Sequence, residues 1–383
     1  MELINKTPFP GIAFQASRQD GKPSHVAVLR ATFDIKSDGI LELSDEQEPI
    51  VLSDEYFEEP NKSSVRQESD LVPCKPKCDV IVNATAYAPG GHPSLEFVVG
   101  VRIRGPAGGG KEHGPLILEK KLVVTGPCCW EKGLMGGWKL TPPTRPVTSL
   151  PLRYEYAFGG ECRVASDDPC GRRVDAAFRL TPEQRSCHPD GPDMAPLAHA
   201  ACADNPLGIG FAEDWYLKAK ELKEFPAPQI GSPENPVTKL GTSYAPQGFG
   251  IITKAWRQRL DLAGTYDEEW REKRWPYLPE DFDVAYWNGA HPDLQTPHLA
   301  GDEHIMLTNL TPGGKLNFSL PGHLPFVQAL YEDGRSEPAP APLDTLIIEP
   351  DSMKVSLVWR AVLPIHPDSA VVDAFDILMN WSS

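Results

Sequence analysis

Hydrophobic residues along this chain gather into short runs bounded by glycine and proline, a spacing that suits strands and turns better than long helices. Near the N-terminus, the runs at 26–35, 79–87, 95–104 and 116–125 each predict a strand. Asp38-Gly39 and Ala88-Pro89-Gly90-Gly91 supply turn chemistry beside them. A second set of strands is predicted at 304–310, 315–320, 325–331, 344–349 and 354–363, with Thr311-Pro312-Gly313-Gly314 and Glu332-Asp333-Gly334 as turns. Helical spacing is scarce. It predicts one helix over 213–224 and a short one opening at Thr265, where Thr265 and Glu268 form a capping-box pair and Pro276 is the stop. A third, over 368–379, places Val371, Val372, Phe375, Leu378 and Met379 on one face.

The pattern predicts a mainly β fold of two packed β-sandwich or barrel-like modules with long Pro/Gly-rich loops and a few short helices. Residues 1–150 form the N-terminal β module and 246–365 the C-terminal one, entered through an aromatic-rich block. Between them, 151–245 is an irregular Pro/Gly/Cys-rich segment with a short helix, and 366–383 is a helical tail. One continuous assembly of both strand sets is the alternative architecture.

Composition sharpens this picture. Proline accounts for 40 of the 383 residues, about twice average usage, and is spread through the chain, as ordered loops require. Lys plus Arg number 37 against 53 Asp plus Glu, for a formal charge of −16. That excess repels phosphate, which argues against nucleic-acid or anionic-membrane partners. No apolar run is long enough for a membrane span. The N-terminal Met1–Pro10 stretch has no signal-peptide core, so a cytoplasmic location is expected. In such a compartment the eight cysteines stay thiols, and the six Asn-x-Ser/Thr sequons are chance matches.

Candidate chemistry is sparse. Gly105-x4-Gly110-Lys111 resembles a phosphate loop, but Glu112 stands where Mg²⁺ needs a hydroxyl, and no helix pattern follows. Cys162, Cys170, Cys187, His188, His199 and Cys202 fall within 41 residues and are good zinc ligands by type. Their spacings lack paired Cys-x2-Cys knuckles, so no metal ligand is assigned, and structural zinc stays the alternative. Asp281 and Asp283 could be a carboxylate pair for glycoside chemistry, yet loop aspartates usually cap backbone N–H groups. The repeated His-Pro-Asp at 188–190 and 291–293 is read as turn chemistry. Trp256, Trp270, Trp275, Tyr277, Phe282, Tyr286 and Trp287 crowd into 32 residues; core packing is expected for most, with Trp256, Trp270 and Trp359 buried. No catalytic residue and no cofactor is assigned.

Longer strings of residues carry a resemblance. They include Asn5-x-Thr7-Pro8-Phe9, Ala31-Thr32-Phe33-Asp34-Ile35, Glu68-Ser69-Asp70-Leu71-Val72-Pro73-x-Lys75-Pro76-x2-Asp79-Val80 and Pro151-Leu152-x-Tyr154-Glu155. Further on come Asn205-Pro206-x-Gly208-x-Gly210-Phe211, Trp256-x2-Arg259, Leu278-Pro279-x-Asp281-Phe282-Asp283, Leu343-Asp344-Thr345 and Leu357-Val358-Trp359-Arg360. Together these resemble a bacterial family first catalogued as a domain of unknown function and associated with type VI secretion. The resemblance implies a non-enzymatic adaptor or chaperone whose partners are an effector toxin and a PAAR-type tip or spike protein. It implies no catalytic residues. A metal-dependent or carbohydrate-active enzyme using the 161–204 cluster or Asp281/Asp283 is the rival class.

Overall fold

The computed structural model describes residues 2–106, 114–134, 136–322, 324–365 and 371–380. The Gly110-Lys111-Glu112 end of the phosphate-loop-like stretch lies outside them. Strands dominate, as the short apolar runs predict, and among the described residues none of the sheets closes into a barrel. The predicted strand 116–125 is observed as Leu116–Thr125, and 95–104 as Glu96–Arg104. The 26–35 run extends to Pro23–Ile35.

Both large sheets take strands from both ends of the chain. In the seven-stranded sheet, Gly11–Ser17, Pro23–Ile35, Lys354–Pro364, Leu343–Glu349, Cys78–Val82 and Gln295–Thr296 follow one another, with Leu41–Leu43 beside 23–35. The five-stranded sheet places His304–Thr308 and Lys315–Ser319 against Glu96–Arg104 and Leu116–Thr125, with Ile230–Gly231 at the other edge. The two strand sets predicted from the sequence therefore interleave in both of these large sheets.

Period-2 alternation explains the core. On the 23–35 strand, Ala27, Leu29, Ala31 and Phe33 face one side; the 354–364 strand sets Trp359 opposite Leu29 and Leu357 opposite Ala31 on that side. They share one core with Val99, Val101, Ile103, Leu122 and Ile305 from the inner face of the five-stranded sheet. Trp359 is fully buried and stacks on Phe9, ring centroids 6.3 Å apart.

The opposite face of the large sheet is different. Arg30, Asp79 and Arg360 project there and meet long loops through buried ion pairs. Arg30 reaches Asp70 at 3.3 Å, Arg360 reaches Asp344 at 2.7 Å, and Lys75 reaches Asp79 at 2.8 Å. Behind them, Arg259 pairs with Glu68 at 2.5 Å. None of these eight side chains is more than 8% exposed. Several of the remaining donors and acceptors meet loop backbone. Arg360 donates to the carbonyls of Asp70 and Val72, Arg259 to those of Ile252 and Tyr286, and Asp79 accepts from Gly289 and Ala290 N–H. The loops over 65–76 and 252–290 are thereby strapped to the sheet.

Three helix expectations change. The 213–224 helix shortens to Asp214–Ala219, because Glu224–Pro226 pairs as a strand with Cys129–Lys132. The helix expected from Thr265 runs over Glu268–Lys273, capped by Asp267 and not by Thr265, whose hydroxyl donates to Asp281. The predicted tail helix is a strand, Val372–Asn380, held between Glu2–Asn5 and Leu324–Tyr331. Leu324–Tyr331 pairs along its length and Glu2–Asn5 along Ala374–Ile377, and these inter-strand hydrogen bonds outweigh its helical spacing. Trp256 is buried as expected, whereas Trp270 is half-buried on the surface helix.

Candidate functional site

Residues 161–219 build a small core of their own. Cys162, Val164, Cys170, Val174, Ala198 and Leu217 pack together under Trp215. The two thiols are packing groups here, and burial pushes the Cys162 thiol up to about 11. Cys162 Sγ also accepts from the Glu213 N–H at 3.3 Å. Cys202 is buried outside this cluster and Cys187 is exposed. The six side chains of the alternative zinc reading are therefore divided between this core, its outside and the surface. Among the described residues no group of three or more His, Cys, Asp or Glu is placed to hold a metal ion.

Two of the six do meet. Strand Glu161–Val164 pairs with Ala198–Ala201 and sets Arg163 opposite His199. The His188-Pro189-Asp190 turn then brings the second imidazole over the first: His188 Nε2 lies 3.1 Å from His199 Nδ1, and His199 Nε2 lies 2.9 Å from Glu161 Oε2. The Asp190 N–H donates to His188 Nδ1 at 3.2 Å, which fixes the proton positions. His188 carries its proton on Nε2 and donates to His199, which carries its own on Nε2 and donates to Glu161. Every ring nitrogen is thus occupied. The His199 contact holds the Glu161 carboxyl below its usual range, and Arg163, 2.5 Å away, does the same for Asp190.

Glu161, Arg163 and Asp190 line the wall of an open cavity of about 920 Å³. Its floor is glycine backbone, Gly159-Gly160 against Gly208 and Gly210. Gly159 has φ +153°, and a Cβ there would sit 2.1 Å from the Asn205 carbonyl, so the close approach of the two loops requires glycine. This wall offers fixed charges and amide dipoles to a polar surface. Neither Glu161 nor Arg163 carried a sequence signal; the strand pairing alone sets them beside His199.

The other residues weighed as candidates take the capping and turn roles read from the sequence. Asp281 accepts from Thr265 N–H and hydroxyl at 2.9 and 2.7 Å, while Asp283 caps Ala285 N–H at 2.8 Å. His291 Nδ1 accepts from Asp293 N–H at 3.2 Å, repeating the geometry of His188. Buried Lys120 reaches Asp293 at 2.8 Å and stands 3.5 Å from His291. Burial, and then the Lys120 cation, push the His291 imidazole down to about 4.

These features define a class: a mainly β scaffold whose ordered loops are pinned by buried charges. Residues 20–360 match the model of a family described as uncharacterized protein conserved in bacteria (DUF2169), and the chain belongs to that family. Neither a curated protein nor a solved structure matches the chain. Among the described residues no helix is long and apolar enough to cross a membrane.

Proposed function

We propose that this protein is a non-enzymatic, cytoplasmic adaptor that binds a type VI secretion effector toxin, stabilises it and promotes its loading on the spike through a PAAR-type tip protein. The observation that carries this reading is the placement of the polar motif residues behind the family likeness. Glu68, Asp70, Lys75, Asp79, Arg259, Asp344 and Arg360 strap loops to a sheet rather than converge on a cavity. Loops ordered before binding lose little entropy when a partner docks, and the −16 charge favours fast capture of a basic partner. The enzyme alternative has less behind it, since Asp281 and Asp283 are engaged with loop groups and the cysteines are dispersed.

A chaperone acts by mass action, lowering the fraction of effector open to proteolysis. Deleting the gene is expected to lower the level and delivery of an effector encoded near it, with secretion of the bare tube protein intact. Unchanged effector level and delivery would refute the adaptor reading.

A further inference from the structure

Among the described residues Trp275 is the one exposed tryptophan, at 68%. It does not stand alone. Tyr266 is 53% exposed, Tyr277 45% and Leu260 51%, all within one excursion of the chain over 260–283. Trp270 ties the aromatics together. Its ring meets Tyr266 edge-on at 4.7 Å, its indole N–H donates to the Tyr277 carbonyl at 2.8 Å, and its own carbonyl accepts from Trp275 N–H at 3.1 Å.

The excursion is held rigidly. Asp267 caps its helix, Asp281 clamps Thr265, and Arg274 donates to the carbonyls of Leu278 and Gln19. Gly21 of the neighbouring hairpin packs on the Tyr277 ring, where a Cβ would lie 3.3 Å from the ring carbon. Exposed aromatics on a base this well braced are unusual, because burial of such rings is a large favourable term. They are, however, the residue types that anchor protein interfaces.

Charge points to what covers them. Residues 260–283 contain eight acids (Asp261, Asp267, Glu268, Glu269, Glu272, Glu280, Asp281, Asp283) and three bases (Arg271, Lys273, Arg274), so 3 − 8 gives a local charge of −5. The helix partly neutralises itself through Glu268–Arg271 and Glu269–Lys273. Asp261, Glu272 and Glu280 add to the negative field.

We infer that this aromatic knob is a docking surface for a lysine- and arginine-bearing polypeptide segment of a protein partner. Cationic side chains lie over Trp275 and Tyr277 as cation–π contacts, and the acids steer and hold them. Only the identity of the partner as the effector rests on the adaptor reading; the surface itself does not.

The test uses the full chain and a fluorescein-labelled peptide of alternating arginine and leucine, with a glutamate-for-arginine peptide as control, read by anisotropy. The basic peptide is expected to bind, and Trp275→Ala to weaken it by about tenfold or more, the loss of one interface anchor. The pair Glu272→Gln and Glu280→Gln should weaken it by about threefold, and binding should fall steeply between about 50 and 300 mM salt. Since Trp275 is exposed, its alanine variant should keep the parent melting temperature. No binding of the basic peptide, equal binding of the acidic one, or parent-like binding by Trp275→Ala would overturn the inference. So would Trp275-dependent self-association of the free protein in sedimentation, which would make the knob a contact between copies. Peptide binding without effector dependence in the deletion strain would leave this surface standing and remove the adaptor reading. Effector dependence without peptide binding would do the reverse.

Discussion

Asp344 and Arg360, each side chain 2% exposed and 2.7 Å apart, show what a single charge does in this molecule. Removing Asp344 leaves the Arg360 guanidinium buried without its counter-ion, so Asp344→Ala should cost about 3–5 kcal/mol in urea unfolding. Glu269→Ala, which breaks an exposed pair on the 268–273 helix, should have no measurable effect. His291 sets a pH dependence. Its folded imidazole titrates at about 4 against an ordinary value of 6.5, so between those values the unfolded chain takes up a proton that the folded one refuses. Stability from this group is complete above pH 6.5 and declines as pH falls toward about 4. Asn can keep the acceptor for Asp293 N–H, so His291→Asn should flatten the unfolding midpoint across that window.

At the scale of elements, the Val372–Asn380 strand is the instructive one. Its residues satisfy a helical period, and a prediction from spacing alone chooses a helix. Val372, Ala374, Phe375 and Ile377 are nonetheless buried together because strands pair on both sides, Ala374 lying opposite Glu2 and Leu330. Asp376, one of two aspartates in this run, is tied to Lys6 at 2.7 Å. Proline at Ala374 removes a ladder donor within a central strand and should cost about 3 kcal/mol or more, measured as a lowered denaturation midpoint. An exposed helix tail would tolerate loss of that position far better. The 161–219 segment makes the same point in reverse: residues that looked like ligands by type form a small apolar core.

For the whole molecule, the thiols of Cys162 and Cys170 are packing groups and the two imidazoles of His188 and His199 saturate each other and Glu161. Chelators should therefore leave the melting temperature of the 161–219 region unchanged, checked by differential scanning fluorimetry with and without EDTA; a drop on chelation would restore the zinc reading. The interleaved sheets also predict that residues 1–150 expressed alone will not fold, because the 23–35 strand would lose its 354–364 partner and the 96–104 strand would lose 304–308. Two-dimensional NMR of that fragment would show collapsed amide dispersion.

The sequence by itself determined the strands of the two predicted sets, their turns, the acidic excess and the loop roles of Asp281, Asp283 and His291, because alternation, glycine–proline punctuation and side-chain capping are local properties. It also carried the family likeness in Glu68, Asp70, Lys75, Asp79, Asp344 and Arg360, without showing why those charges are there. Only the tertiary structure decided that they are loop straps, since Lys75 meets Thr345 and Arg360 meets Asp70 across more than 250 residues. It alone joined His188, His199 and Glu161, and it alone turned the 372–380 run into a strand. Each of these depends on a partner distant in sequence, and a pairing energy that arises only on assembly leaves no trace in local spacing.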